Sequence, residues 1–264
     1  MTNDLTTTFT FLNGRTVNRI GYGAMRLTGQ PRNFGPYADW RGGIELLQRA
    51  RDLGVNHIDT ARAYGPHENE KLIADALVNE DGSYGEMFIA SKGGVEKSAT
   101  SLTRDTSRET MKRHLEDSLA SLRTDKIDLY YVHAPDGVTP ISESVAALEE
   151  MRQAGKIDMI GLSNVSRVQV EEALKVAPIA AVQNRYSPAD ERDEALEEMI
   201  DWLNEQGIAF VPHGPLGANP MRQGAIVDPG DALRTLLARS PNILAIPGTT
   251  TIAHLEDNAA ALAA

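Results

Sequence analysis

The sequence predicts an α/β protein, a (β/α)8 TIM barrel with an N-terminal β-hairpin and a shortened C-terminal end. Three observations support this fold class. Eight short apolar segments alternate with helical patterns, several segments are continuously apolar, and no Gly-rich phosphate loop follows the first one. Continuous apolar runs are typical of parallel strands that are buried on both faces. No linker interrupts the chain, so residues 1–264 are expected to form a single barrel domain.

The chain begins with a predicted hairpin, which eight predicted strands follow. Residues 8–17, "TFTFLNGRTV", place Asn13 and Gly14 at the centre of a tight turn. The motif "GYGAMR" resembles a dinucleotide-binding loop only superficially, because Arg26 replaces the third glycine and no helix follows at once. A doubly wound sheet is therefore disfavoured. The predicted strands cover residues 19–25, 57–60, 87–92, 127–133, 159–164, 180–186, 208–214 and 243–248.

Predicted helices occupy the intervals between these strands. Two capping boxes mark helix starts, one formed by Thr106 with Glu109 and the other by Ser166 with Gln169. Apolar residues recur at spacings of three and four along the helical stretches. The predicted helices cover residues 40–53, 107–123, 142–154, 193–205 and 231–239, with another starting near Arg167 and a last one near the C-terminus.

Composition excludes several classes of function. A net charge of −11 argues against a nucleic-acid-binding surface, which is normally basic. The absence of Cys excludes disulfides and thiolate metal sites, and no metal site is predicted. No apolar run approaches the about 20 residues that span a bilayer, and residues 1–10 lack the features of a signal peptide. We therefore expect a cytoplasmic monomer that acts on a small molecule and binds neither nucleic acid nor membranes.

Polar side chains end several of the predicted strands, at the face where barrel enzymes have their active sites. Asp59, Lys92 and His133 end the second, third and fourth strands, and Tyr64 follows Asp59 closely. Each residue alone has an ordinary explanation, such as a solvated lysine at the barrel rim or a hydrogen-bonded structural histidine. Four such residues at or just after the ends of adjacent strands of one barrel are better explained as one site.

These four residue types together predict a proton donor. A phenol has an ordinary pKa of about 10, and a neighbouring ammonium group stabilises its phenolate form. A carboxylate beside that ammonium keeps it charged despite burial, and an imidazole orients or polarises a substrate oxygen. Protonation of a carbonyl oxygen as a hydride reaches its carbon is one reaction that needs such a donor.

Motifs from about Val17 to Asn258 resemble the aldo-keto reductase family. They are "GYGAMRL", "GVNHIDTARAYG", "ASKGG", "IDLYYVHAPD", "GKIDMIGLSNVS", "VQNRYS", "GPLG" and "IPGTTTIAHLEDN". The resemblance implies a (β/α)8 barrel that binds NADPH without a Rossmann domain and reduces aldehydes and ketones. It also implies the catalytic roles: Tyr64 is the general acid, Lys92 lowers its pKa, Asp59 pairs with Lys92, and His133 orients the carbonyl.

The same resemblance places the cofactor along the chain. It implies that Ser163, Asn164 and Gln183 hydrogen-bond the nicotinamide carboxamide and that His213 stacks on the ring. The other implied cofactor contacts run from the nicotinamide end through the pyrophosphate to the adenosine. They are Gly23, Met25, Asp59, Gly214, Leu216, Gly217, Gly248, Thr249, Thr250, Thr251, His254, Asp257 and Asn258.

The sequence departs from the family pattern in two places. Many members have a lysine where Gly248 stands and an arginine where His254 stands, both facing the 2′-phosphate. The expected cofactor is therefore NADPH, with NADH possible and the preference reduced. In addition, residues 215–242 and 249–264 are shorter than the corresponding parts of relatives, which implies an open substrate pocket.

Within the family, the motifs most resemble bacterial members related to pyridoxal reductases, which makes pyridoxal a candidate substrate. Two other functions fit part of the pattern. A Schiff-base aldolase would also place a lysine such as Lys92 at the end of a barrel strand. A cofactor-binding sensor or partner protein would keep the barrel but have little turnover. The aldolase does not explain Ser163, Asn164 and Gln183, and the intact group of four disfavours the sensor.

Overall fold

The computed structural model describes residues 6–188, 191–215 and 228–261. It begins with an antiparallel hairpin of β1 and β2, in which Phe9 lies opposite Val17, and Gly14 in the turn has a φ of 85°. This confirms the predicted N-terminal hairpin. The strands are Thr8–Thr10 (β1), Thr16–Asn18 (β2), Tyr22–Gly23 (β3), His57–Asp59 (β4), Phe88–Gly93 (β5), Val95–Lys97 (β6), Leu102–Arg104 (β7), Ile127–Val132 (β8), Ile157–Ser163 (β9), Ile179–Gln183 (β10) and Ala209–Phe210 (β11).

Seven of these strands form one parallel sheet in the order β11-β10-β9-β8-β5-β4-β3. The predicted eighth strand makes only isolated bridges, from Ile243 to Phe210 on one side and from Ala245 to Ile20 on the other. Its ladder is short because Pro247 has no N–H to donate. These two bridges nevertheless join the last strand of the sheet to the first. The sheet is thereby curled into the predicted (β/α)8 barrel.

The helices lie between the strands, as the sequence predicts, but two details differ. Ser107 rather than Thr106 caps α3, since its Oγ accepts from Thr110 N, whereas Thr106 N donates to Asp136. The Ser166–Gln169 capping box of α5 is confirmed. Helix α2 was not predicted, and no side chain caps its start. The helices are Trp40–Asp52 (α1), Glu68–Leu77 (α2), Arg108–Leu122 (α3), Ile141–Gln153 (α4), Arg167–Leu174 (α5), Glu194–Glu205 (α6), Pro229–Arg239 (α7) and Ile252–Ala260 (α8).

The N-terminal hairpin contributes to the core inside the barrel. Phe11 stacks on Phe88 with ring centroids 5.2 Å apart, and His57 meets Phe88 edge-on at 5.3 Å. Burial of each large apolar side chain stabilises the fold by about 1.5–3 kcal/mol. Burial also lowers the pKa of His57 to about 4, so this imidazole is neutral at physiological pH. The barrel interior below the strand ends is thus apolar and uncharged. Among the described residues, no helix is both long and apolar enough to cross a bilayer.

A buried carboxyl group lies between the sheet and the helices. Glu70 is fully buried in the first turn of α2, where its Oε1 accepts from Ser91 Oγ at 2.6 Å. Its Oε2 has no hydrogen-bond partner within the described residues. Burial raises the pKa of Glu70 to about 7, against the opposing effect of the Ser91 hydrogen bond. The folded protein therefore holds this proton more tightly than the unfolded chain does.

Glu70→Gln should make the free energy of unfolding less dependent on pH. Because the folded pKa is raised, wild-type stability falls as pH rises from the ordinary value of 4.5 to about 7. At pH 5 both side chains are neutral, whereas at pH 8 only the wild type has an unpaired buried charge. From pH 5 to pH 8, the free energy of unfolding of the variant should therefore rise by about 2–3 kcal/mol relative to that of the wild type, as measured by urea unfolding. Glu143→Gln, an exposed position in the first turn of α4, is the matched control. If the free energy of unfolding changes equally with pH in the two variants, the raised pKa of Glu70 is contradicted.

Candidate active site

The C-terminal ends of three neighbouring strands bring the predicted catalytic residues together. Asp59 ends β4, Lys92 lies near the end of β5, and His133 directly follows β8. The sheet places β4 beside β5 and β5 beside β8. Tyr64 lies on the loop between β4 and α2. Parallel strands present their carboxyl ends on one face of a barrel, which is why this sequence spacing converges in space.

Asp59 and Lys92 form a buried ion pair. Lys92 Nζ lies 2.5 Å from Asp59 Oδ1 and donates to the Thr60 carbonyl oxygen at 2.8 Å. Gln183 Nε2 donates to the second carboxylate oxygen, Asp59 Oδ2, at 2.8 Å. Burial lowers the pKa of Lys92, but the nearby Asp59 and Tyr64 raise it by more, so the net pKa lies above its ordinary value. The lysine is therefore an ammonium at all physiological pH values.

Tyr64 contacts both neighbouring members of the group. Lys92 Nζ lies 5.3 Å from the centroid of the Tyr64 ring, and the His133 ring meets that ring edge-on with centroids 5.9 Å apart. Burial raises the pKa of Tyr64, Lys92 lowers it, and Asp59 raises it. The net pKa lies above the ordinary value. Lys92 thus acts in the predicted direction without outweighing burial, and the half-buried phenol is protonated at neutral pH.

The loop that carries Tyr64 is held by residues that the sequence did not single out. Thr60 Oγ1 donates to Asn69 Oδ1 at 2.6 Å, and Asn69 Nδ2 donates to the carbonyl oxygens of Ala24 and Leu27. These bonds tie the start of α2 to the turn that follows β3. No spacing rule indicates them, because a polar residue on a helix is more often solvated. The motif "GPHENE", which directly follows Tyr64 and contains Asn69, is the sequence signal from which this contact could have been suspected.

The arginine two residues before Tyr64 forms a second anchor for this loop. Arg62 is almost fully buried and pairs with Glu96 on β6 and with Asp117 on α3, both at 2.9 Å. Breaking a buried, hydrogen-bonded pair is strongly destabilising, so such a residue fixes the loop to which it belongs. Two independent anchors, Asn69 and Arg62, thus limit the positions that the Tyr64 phenol occupies.

His133 is a neutral imidazole in this setting. Burial lowers its pKa to about 3, with the positive charges of Lys92, His213 and Arg104 acting in the same direction. Its Nδ1 is buried and has no hydrogen-bond partner within the described residues. Its backbone is fixed, since His133 N donates to the Gly93 carbonyl oxygen at 2.9 Å. A neutral imidazole has one N–H with which it donates to an oxygen.

The residues expected around the nicotinamide lie at the ends of the next strands. Asn164 has a φ of 57°, and its Nδ2 donates to the His133 carbonyl oxygen at 2.9 Å and to Ser163 Oγ at 3.0 Å. His213 Nε2 lies 3.2 Å from Asn164 Oδ1. Gln183 differs from the expectation in one respect, because its Nε2 is already bound to Asp59. This amide therefore orients the ion pair in addition to its predicted cofactor contact.

Two glycines expected at the cofactor pack against each other across the barrel closure. A Cβ on Gly23 would lie 2.6 Å from the Ile246 carbonyl oxygen, and one on Gly248 would lie 2.7 Å from the Gly23 carbonyl oxygen. A side chain at either position therefore requires the backbone to move. This close approach accounts for a glycine at both positions.

The remaining predicted cofactor residues flank the start of α8 or the ends of strands. Tyr22 Oη donates to the Thr249 carbonyl oxygen at 2.5 Å, which holds this segment against β3. Thr251 is the N-cap residue of α8 but its side chain makes no capping bond. Leu216 and Gly217 lie outside the described residues. Exposed at the surface are Met25, Gly214, Gly248, Thr250, Thr251, His254 and Asp257, whereas Thr249 and Asn258 are buried.

This donor set fits a phosphate-bearing dinucleotide. Thr251 N donates to Thr249 Oγ1 at 3.2 Å, but within the described part of the chain no side chain accepts from the first N–H groups inside α8, and such a helix start favours an anion. The bare backbone at Gly23 and Gly248 lies beside it and allows a close approach. Ser163 and Asn164 present polar groups on the side of the barrel that adjoins His133.

Comparison with known proteins gives the same family throughout. Residues 19–234 match the model of the Aldo/keto reductase family. A pyridoxine 4-dehydrogenase from Escherichia coli (strain K12) is 41% identical over an alignment of 271 positions, which covers 96% of this chain and 92% of that protein. An uncharacterized oxidoreductase from Schizosaccharomyces pombe is 32% identical, over 92% of this chain and 80% of its own.

Solved structures agree with these sequence matches. An aldo-keto reductase from Bacillus halodurans in its holo form superposes with a TM-score of 0.81 at 25% identity, covering 98% of this chain and 91% of that one. An aldo/keto reductase from Klebsiella pneumoniae in complex with NADP and acetate gives 0.79 at 25% identity, covering 97% and 89%. The chain therefore belongs to the aldo/keto reductase family of oxidoreductases.

Proposed function

We propose that this protein reduces aldehydes and ketones to alcohols with NADPH, with Tyr64 as the general acid. The observation that supports this most directly is the buried Asp59–Lys92 ion pair, which lies against a protonated phenol and a neutral imidazole at the mouth of the barrel. A related structure was determined with NADP bound, and the uncapped start of α8 fits the phosphates of that nucleotide. When bound, the reduced nicotinamide supplies the hydride that the carbonyl carbon accepts.

The protein's own groups manage the proton. His133, as a neutral imidazole, donates a hydrogen bond to the carbonyl oxygen and places it beside the phenol of Tyr64. Tyr64 transfers its proton as negative charge develops on that oxygen, and the Lys92 ammonium stabilises the phenolate that remains. Asp59 and the Thr60 carbonyl hold Lys92 in place. Because these charges are fixed before reaction, little reorganisation accompanies the transfer.

The environment of Lys92 disfavours the aldolase alternative. A Schiff-base lysine acts as a free amine, so its pKa must fall toward neutrality. Here the net pKa of Lys92 lies above its ordinary value, and the side chain is bound to Asp59 and Thr60. The ammonium has no lone pair with which to attack a carbonyl.

Pyridoxal is the substrate that the comparisons favour. The relative that is 41% identical is named a pyridoxine 4-dehydrogenase, and the alignment covers nearly all of both chains. Pyridoxal is the aldehyde that corresponds to oxidation of pyridoxine at its 4-position. We therefore propose that pyridoxal is among the aldehydes that this protein reduces.

NADPH consumption tests the proposed function directly. The absorbance of NADPH should decay after addition of pyridoxal, an aromatic aldehyde or a short aliphatic aldehyde to the protein. Nucleotide binding is followed separately by the fluorescence of NADPH. Binding without turnover of any aldehyde would favour the sensor or partner function, whereas trapping of a substrate on Lys92 by borohydride would favour the aldolase.

NADPH should bind more tightly than NADH, but by a modest margin of about 5- to 30-fold, because only a helix start and hydroxyl groups face the extra phosphate. Introducing the family's arginine through His254→Arg should widen the margin about 10-fold or more, since a charge-assisted hydrogen bond is added. Dissociation constants measured by fluorescence for both nucleotides decide the matter, with His254→Gln as the uncharged control. Equal affinities in the wild type would show that the start of α8 does not hold the 2′-phosphate.

A further inference from the structure

The hairpin formed by β6 and β7 follows β5 directly and has two different faces. Its strands are antiparallel, with Val95 opposite Arg104 and Lys97 opposite Leu102. Side chains that lie directly opposite in such a pair project from the same face, and successive residues alternate between faces. One face of the hairpin therefore carries Val95, Lys97, Leu102 and Arg104, and the other carries Glu96 and Thr103.

The face that carries Glu96 is directed toward the protein's helices. Glu96 pairs with Arg62 at 2.9 Å, and with Arg113 and His114 of α3 at 3.1 Å and 2.8 Å. Gly94 N, just before the hairpin, donates to His114 Nδ1 at 3.0 Å. These contacts fix the orientation of the hairpin on the barrel.

The opposite face adjoins the candidate active site. Val95 is buried in a cluster with Ala63 and Ala134. Ala63 immediately precedes Tyr64, and Ala134 immediately follows His133. We call the surface formed by Lys97, Leu102 and Arg104 the cationic face of the hairpin. Arg104 lies directly opposite Val95 and is therefore its member nearest to the cluster with Ala63 and Ala134, while the pair of Lys97 and Leu102 lies two residues farther along the hairpin.

The cationic face is unusual in its charge. Neither Lys97 nor Arg104 has a carboxylate partner within residues 6–188, 191–215 and 228–261, in contrast to the paired Arg62 and Arg113 nearby. Arg104 is exposed, and its positive charge is the smallest of the contributions that lower the pKa of His133, after burial, Lys92 and His213. Leu102 is 57% exposed between them. In a chain of net charge −11, two unpaired cations here create a local positive potential.

We propose that the cationic face binds an anionic group, a carboxylate or a phosphate, carried by the carbonyl substrate at a distance from its reacting carbon. Arg104 offers the planar fork of donors that suits either anion, and Lys97 adds a second charge. Leu102 contacts the apolar part that joins the anion to the carbonyl. This assignment rests on the proposed function, and it adds a preference for anionic over neutral aldehydes.

Matched pairs of substrates test the preference. We compare 4-carboxybenzaldehyde with benzaldehyde for the carboxylate, and pyridoxal 5′-phosphate with pyridoxal for the phosphate. Arg104→Gln should lower kcat/KM for the anionic member about 10-fold, mainly through KM, and should change the neutral member about twofold or less. The double variant with Lys97→Gln should lose more. Arg41→Gln, which removes an exposed charge on α1, is the control and should leave both members unchanged.

The outcomes separate this proposal from the proposed function. If the double variant keeps the wild-type ratio of anionic to neutral rates in both pairs, the cationic face does not bind the anion. A loss confined to one pair identifies that pair's anion as the ligand. If the wild type reduces none of the four aldehydes, the proposed function fails. In that case, calorimetry measures the binding of 4-carboxybenzyl alcohol and benzyl alcohol to the full chain with NADP⁺. Equal affinities in the wild type and the double variant overturn the anion-binding proposal. A loss of affinity in the double variant for the carboxylate-bearing alcohol alone supports it.

Discussion

Tyr64→Phe should lower kcat for aldehyde reduction by about 100-fold or more, because the variant has no proton to transfer. The phenyl ring keeps the edge-on contact with His133 and occupies the same place beside Lys92. The dissociation constant of NADPH should therefore stay within about twofold of wild type. Steady-state rates together with fluorescence titration measure both quantities. Loss of turnover with intact nucleotide binding is the pattern expected for a donor that acts only in the transition state.

A second hydroxyl deletion provides the control for Tyr64→Phe. Tyr84 is a buried residue of the loop between α2 and β5, and its hydroxyl donates to the Leu122 carbonyl oxygen at 2.8 Å. Tyr84→Phe should reduce stability by about 1 kcal/mol and leave kcat unchanged. If Tyr64→Phe instead retains most of its activity, another group donates the proton. If Tyr84→Phe loses turnover to the same degree, a general loss of folded protein explains both.

Sequence reasoning was most successful where one physical rule covers many residues. Alternation of apolar runs with helical periods gave the barrel, and the rule that barrel sites lie at the carboxyl ends of strands gathered Asp59, Lys92 and His133. Those residues meet because their positions along successive strands are equivalent. The same rule does not cover Tyr64, which lies in the loop after β4. Its nearness to Asp59 in the sequence and the chemistry of a phenol beside an ammonium group brought it into the predicted site.

The sequence was least informative where a polar group has several possible partners. Gln183 was predicted to contact the cofactor, but nothing in its neighbourhood indicated a hydrogen bond to Asp59, which lies four strands away in the sheet and 124 residues away in the chain. Arg62 and Asn69 were not singled out, since their partners come from other elements. The N-cap of α3 was misplaced by one residue because Thr106 and Ser107 both have the required hydroxyl.

The buried ion pair gives the second large expected effect. Lys92→Met leaves Asp59 without its cation in a site where both side chains are almost fully enclosed. Among the described residues, only Gln183 then hydrogen-bonds the carboxylate. Removing one partner of a buried pair destabilises a fold by about 3–5 kcal/mol. Asp59→Asn leaves the opposite charge unpaired and should be similarly destabilising. Lys92→Met should also lose turnover, since the phenolate of Tyr64 loses its stabilising charge. Asp59→Asn should lower turnover as well, because the carboxylate that holds Lys92 in place is gone.

The double variant Asp59→Asn/Lys92→Met separates stability from catalysis. It removes both charges, so no uncompensated ion remains, and its free energy of unfolding should recover by about 2 kcal/mol or more over either single variant. Turnover should not recover, because no ammonium is left beside Tyr64. Urea unfolding at neutral pH and NADPH consumption on the same four proteins provide both readouts. A double variant as unstable as the single ones would mean that the two charges are not coupled. Recovery of turnover along with stability would mean that Lys92 supports the fold alone and that the proton of Tyr64 is released without its help.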